Sequence, residues 1–270
     1  MTQSPYTPYI AHKGNSPLVI SAPHIGLNVP DDIFSRLNTQ GQNLTETDFN
    51  VHRLYDFAQN LGASTLWAEY SRYVIDLNRD PDSAPLYPGQ FETGLCPLSD
   101  FDAHPLYQLG CEPDQDEIND RRIRFWQPYH NRLESLLLEA QQTHGYALLI
   151  DAHSIRPVIP SLFEGRLPDL NFGTHIGKSC GSFINDAISH FMEKTPEFSS
   201  VLNGRFKGGY TTRHYGRPHE HIHAVQIEIV QDIYLDMNNP RSFDPIRAQD
   251  LSQALNTLIA SLLSTLKSVY

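Results

Sequence analysis

Short continuous apolar runs, each closed by turn residues, alternate along this chain with stretches of helical periodicity, and that alternation constrains the fold most. Residues 17–24 read as a buried strand that stops at Pro23 and delivers His24 to its end. Residues 44–61 read as a helix, with Phe49, Leu54, Phe57, Ala58 and Leu61 at three- and four-residue steps and Gly62 as its C-terminal cap. Strands are predicted at 65–69, 73–77, 146–151 and 224–231. Helices are predicted at 117–144, where Pro128 kinks the helix or starts a second one, and at 181–194 and 245–266. On the last helix Ile246, Leu251, Leu255, Leu258, Leu262 and Leu266 mark one face. Residues 78–113, rich in Pro, Gly and Asp, form a long aperiodic loop of the kind used as a lid or binding loop. The pattern predicts an α/β fold, a three-layer α/β/α arrangement around a mixed, mostly parallel sheet.

The 270 residues contain no repeat, linker or low-complexity segment, so a single domain over 1–270 is expected. An apolar fraction of 40% is enough for a continuous core. Lys and Arg total 20 against 31 Asp and Glu, a net charge of −11, which disfavours nucleic-acid and membrane-surface partners. An anionic substrate would need arginines gathered at its site. Three cysteines without a C-x-x-C pair suit a reducing compartment, and residues 1–12 lack a signal-peptide pattern. No apolar stretch approaches the roughly 20 residues of a membrane span. The cytoplasm is expected, and no oligomeric state follows from the sequence.

In open α/β sheets ligands gather at the carboxyl ends of the strands. His24 and His153 both end predicted strands, and neutral imidazole is the commonest side-chain ligand of zinc. Either histidine alone reads equally as a satisfied polar residue; two at converging strand ends point to a metal. A catalytic zinc takes three protein ligands and leaves one position open. Glu46 and Asp48 are candidates for the carboxylate, but both also suit a helix start electrostatically, and spacing does not choose between either of them and neither. Glu228 stands between isoleucines in a buried strand. Burying a carboxylate there requires a partner or a raised pKa, the condition of a good general base, with a salt-bridged structural Glu as the alternative. Arg79 follows the 73–77 run and could point a planar fork into the same cleft or pair with Asp80 or Asp82. Arg72 stands at the other end of that run. Arg156, Arg213, Arg217 and His214 belong to the densest cation-capable region of an acidic chain. Ser154 and Cys180 lack the Gly-x-Ser-x-Gly turn or another nucleophile setting.

Taken together, SAPHIG at 21–26, TD at 47–48, DLNRD at 76–80, YPGQ at 87–90, DAHSIR at 151–156, LPDLN at 167–171 and QIE at 226–228 resemble the N-formylglutamate amidohydrolases, over roughly residues 16–236. The resemblance implies a zinc-carboxypeptidase-like (phosphorylase/hydrolase-like) fold. It also implies one zinc, or another divalent ion, per chain, and hydrolysis of N-formyl-L-glutamate late in histidine degradation. It makes His24, His153 and an acid of 45–48 the metal ligands. Glu228 becomes the general base and Arg79 the Asn-Arg position that contacts substrate. On that reading Arg79 is expected to stabilise the developing oxyanion, and Arg72, Asn78, Arg156, Arg213 and His214 are the candidate substrate-binding residues. The carboxypeptidase His-x-x-Glu is absent, since position 27 is Leu, so Asp48 is preferred as the third ligand and Glu46 is the alternative. A related metallohydrolase acting on another N-acyl amino acid or short peptide is the nearest rival.

Overall fold

The computed structural model describes residues 8–270 except 83, 85, 87, 88, 90 and 91. Of the YPGQ run, Tyr87, Pro88 and Gln90 therefore lie outside the described residues. A seven-stranded sheet has the order β1-β3-β2-β4-β7-β5-β6. Its strands are β1 (Tyr9–His12), β2 (Leu18–Ala22), β3 (Ser64–Ala68), β4 (Ala147–Ile155), β5 (Leu170–Gly173), β6 (Ser200–Leu202) and β7 (Ile222–Val230). Strands β3, β2, β4 and β7 run parallel, while β1 lies antiparallel on β3 and β5 antiparallel on β7. The sheet is mixed and mostly parallel, as the alternation predicts.

Layers cover both faces. Leu18 and Ile20 of β2, Leu148 and Ile150 of β4, and Val225, Ile227 and Ile229 of β7 pack on one side. They meet α5 (Ser182–Lys194), α7 (Pro245–Val269) and a 3-10 helix at Val51–Leu61. Val19, Leu66, Leu149 and Ala224 face the other side, toward α4 (Gln127–His144), and α6 (Tyr210–Tyr215) packs against β4 and β7. Every residue of β4 and β7 is buried, which is why both read as near-continuous apolar runs. The two-residue period of a strand then puts Asp151, His153, Gln226 and Glu228 on one face. The register sets Asp151 beside Gln226 and His153 beside Glu228.

Several predicted elements shift. Strand β4 runs on through Ile155, so His153 lies inside it rather than beyond its end. The helix expected at 44–61 begins only at Val51, and as a 3-10 helix. Leu44 (φ 52°) and Asn50 (φ 57°) turn the intervening chain, and the Asp48 amide bonds the His24 carbonyl at 3.0 Å. Residues 73–77 are not a strand. Turns close there through Val74 N to Ser71 O and Arg79 N to Asp76 O, and the apolar side chains are buried without sheet pairing. Helix α3 (Gln115–Arg121) continues through a π-helical segment, Arg122–Trp126, into α4. Pro128 lacks the amide that would bond four residues back, and the ladder changes register just before it. Two further short helices are α1 (Asp31–Phe34) and α2 (Thr39–Gln42). On α7 the predicted leucine face is buried, but Ile246 is 82% exposed in the first turn. No described helix is long and apolar enough to cross a membrane.

Candidate metal centre and active-site cleft

His24 stands two residues beyond β2 and His153 near the end of the adjacent β4, with ring centroids 4.8 Å apart. The turn after Leu44 brings in Asp48, whose Oδ2 lies 3.1 Å from His153 Nδ1 and 3.8 Å from His24 Nδ1. Potential ligand atoms of the three residues all lie within 4.8 Å of one another, and all three side chains are buried. Glu46 is elsewhere. Its Oε1 accepts from the Phe101 amide and it lines a neighbouring cavity, so of the two acids only Asp48 stands beside the imidazoles.

Two carboxylates that the sequence reasoning left without a role stand behind the imidazoles. Asp76 Oδ1 lies 2.7 Å from His24 Nε2, and Asp151 Oδ1 lies 3.0 Å from His153 Nε2; both acids are fully buried. Asp76 is held by Arg72 Nη2 at 2.5 Å and by the Asn78 amide at 2.9 Å, and Asp151 by the Thr212 hydroxyl at 3.1 Å. A carboxylate accepting the Nε2 proton fixes the tautomer and leaves the Nδ1 lone pair aimed into the shared space. Metal-ligating histidines are oriented in this way. Burial holds the His24 pKa below its ordinary value, and Arg72 adds to the effect. Burial also opposes charge on His153, but Asp151 and Asp48 outweigh it and hold the pKa well above the usual imidazole value. Of the three buried aspartates Asp76 is paired with a guanidinium, that of Arg72, with Arg79 4.0 Å away, while the ion pairs of Asp48 and Asp151 are with the imidazoles. The excess negative charge and the N, N, O donor set fit a divalent cation, which would take the place of the His153 proton.

Glu228 is 7% exposed and lies beside His153 in the sheet register. Its Oε2 accepts from Gln226 Nε2 at 3.0 Å, and Gln226 Oε1 accepts from the Gly209 amide at 2.7 Å. The second bond fixes which end of the Gln226 amide faces Glu228, so Gln226 presents a donor. Burial pushes the Glu228 carboxyl up to about 8, against the pull of His153 and with Asp48 adding to the rise. Gly209 is set by space: a Cβ there would lie 2.4 Å from Asn78 Nδ2. Asn78 Oδ1 in turn accepts from the Thr211 amide, and its Nδ2 lies 3.0 Å from His153 Nε2.

A cleft of about 690 Å³ opens over this group. It brings together His24, Asp48, His153, Glu228, Arg72, Asn78 and Arg79 from the predicted set, and adds Arg205, Phe101, Ile155, Leu162 and Phe206. Arg79 reaches it while bonded to the Thr93 carbonyl and hydroxyl and to the Asn78 carbonyl. Three predicted substrate-binding residues do not line the cleft. Arg156 pairs with Asp102 at 2.7 Å, and Arg213 bonds the Gly208 and Leu86 carbonyls. His214 is exposed and stacks on Tyr210 at 4.9 Å between centroids. A local density of cationic residues carries no information on which way each side chain points. Asp151 and Gln226 were legible in principle, since a spacing of two on a strand puts each beside its histidine or glutamate. Arg205 has no such signal. Ser154 hydrogen-bonds Tyr234 OH and Gln231 Nε2 rather than a histidine, and burial pushes the Cys180 thiol up to about 12, so neither is an activated nucleophile.

Comparison with known proteins agrees. The sequence model of N-formylglutamate amidohydrolase matches residues 16–235. The chain is 45% identical over 253 residues to the N-formylglutamate deformylase of Pseudomonas putida, covering 94% of each chain. It is 46% identical over 254 residues to that of Pseudomonas aeruginosa, again covering 94% of each. The crystal structure of N-formylglutamate amidohydrolase from Ralstonia eutropha JMP134 superposes with a TM-score of 0.80 at 25% identity, covering 97% of this chain and 99% of that one. The chain belongs to the N-formylglutamate amidohydrolase family.

Proposed function

We propose that this chain hydrolyses N-formyl-L-glutamate to formate and L-glutamate, with one zinc ion held by His24, Asp48 and His153. The observation that carries the proposal is the convergence of those three ligand atoms, each imidazole backed by an aspartate, with Glu228 beside them in register. When bound, zinc supplies Lewis-acid activation of water and of the acyl carbonyl. The charge of a bound cation would favour the ionised form of Glu228, which takes a proton from the attacking water on Oε1, because Oε2 is engaged by Gln226. It then returns that proton to the departing glutamate nitrogen as the C–N bond breaks. Hydrolysis is thereby balanced, with water divided between the two products.

Arg79 and Arg205 present positive charge to a doubly anionic substrate, and Arg79 stabilises charge developing on the carbonyl oxygen. Arg72 acts behind the site by holding Asp76. Asn78 accepts from the Thr211 amide and fills the space between the Gly209 turn and His153. The chain works as one catalytic domain, in the cytoplasm, at the histidine-degradation step of its family. The test is Glu228→Gln, which keeps the shape and removes the base. It is expected to retain stoichiometric zinc and lose at least 100-fold in formate release, within the range of general-base contributions. Activity within threefold of the unmodified chain would remove Glu228 from the mechanism.

A further inference from the structure

Beside the cleft lies a second, smaller cavity of about 180 Å³. The two share Phe101, Ser154 and Ile155, so those residues form the partition between them. We infer that Phe101 sets the size of the acyl group the enzyme accepts, closing the cleft so that a formyl hydrogen fits where a methyl group does not. The inference rests on the reading of the site as an N-acyl amino acid hydrolase.

Position supports it first. Ser154 and Ile155 follow His153 directly on β4. The Phe101 ring lies 4.9 Å from the Arg72 guanidinium carbon, and Arg72 Nη1 is 3.4 Å from His24 Nδ1. The partition therefore stands next to the imidazoles, where the reacting acyl carbon must sit. Polarity supports it next. The amino-acid half of the substrate carries two carboxylates and seeks Arg79 and Arg205. The acyl half is uncharged and suits an aromatic and aliphatic wall. Behind that wall is Glu46, whose Oε2 has no hydrogen-bonding partner among the described residues. Rigidity completes the case. The Phe101 amide donates to Glu46 Oε1 and its carbonyl accepts from the Ser161 hydroxyl, so the backbone under the ring is tied on both sides.

Truncating the ring would join the two cavities. One carbon in a fitted pocket is worth about 10- to 200-fold in discrimination. Zinc-loaded Phe101→Ala and Phe101→Leu would be assayed for formate release from N-formyl-L-glutamate and acetate release from N-acetyl-L-glutamate. The ratio of kcat/KM for the acetyl over the formyl compound is expected to rise at least tenfold in Phe101→Ala, and in the same direction by less in Phe101→Leu. A ratio within threefold of the unmodified chain in both variants, with formate release intact, would overturn the inference. If Phe101→Ala does not fold, the ratio in Phe101→Leu decides. No formate release from the unmodified chain would refute the activity proposed above, and this inference with it.

Discussion

Asp151→Asn isolates what the carboxylate behind His153 contributes to the metal centre. The substitution keeps the shape and an acceptor oxygen 3.0 Å from His153 Nε2, and removes one buried negative charge. A hydrogen bond to a charged partner contributes about 1.5–3 kcal/mol, against about 0.5–1.5 for a neutral pair, so roughly 1–1.5 kcal/mol is lost. At about 1.4 kcal/mol per decade, that is close to a tenfold weakening of metal binding, and loss of a supporting partner of this kind typically costs 10- to 100-fold. The equivalent change at Asp76 is less clean, because it also leaves Arg72 buried without its closest partner. Zinc affinity would be measured by competition with a chromophoric chelator at fixed pH, beside His153→Ala as the variant expected to lose the ion. An Asp151→Asn affinity within twofold of the unmodified chain would refute the argument that this aspartate tunes the imidazole.

Two further outcomes follow from the geometry. In the metal-free chain Glu228 is held up to about 8 from an ordinary value of 4.5, so between those values the folded state keeps a proton that the unfolded state has released. That contribution is fully present below about pH 4.5 and is lost as pH rises through about 8; thermal unfolding of chelator-treated protein should show Glu228→Gln gaining stability over the unmodified chain at pH 8 but not at pH 4.5. Gly209→Ala places a methyl group 2.4 Å from Asn78 Nδ2. It should cost about 1–3 kcal/mol in urea unfolding and lower kcat by displacing Asn78 from His153, and an unchanged kcat would separate Asn78 from the chemistry.

What the sequence showed follows from how each residue earns its place. Strands β2, β4 and β7 were legible because burial on both faces leaves an unbroken apolar run, and Glu228 because an acid inside such a run has to be explained. The 73–77 run misled for the same reason: Val74, Ile75 and Leu77 are buried under turns, and burial alone does not imply pairing. Strands β5 and β6, of four and three residues, are too short to show a period. Asp48 was reached by analogy and not by helix geometry, since the segment carrying it turns through two positive-φ residues that helical spacing does not foresee. Arg156 and Arg213 were drawn in by proximity in sequence, yet their guanidinium groups are spent on Asp102 and on backbone carbonyls. Arg205 and Phe101 come from aperiodic loops, where only the folded chain shows what a side chain faces.

The most direct measurement is zinc content of the purified chain and of its His24→Ala, Asp48→Ala and His153→Ala variants, taken alongside formate release from N-formyl-L-glutamate. One zinc per chain with formate release, both lost in each variant, is the expected result. Full zinc occupancy in any of the three, or formate release from metal-free protein, would contradict a catalytic ion held by this trio.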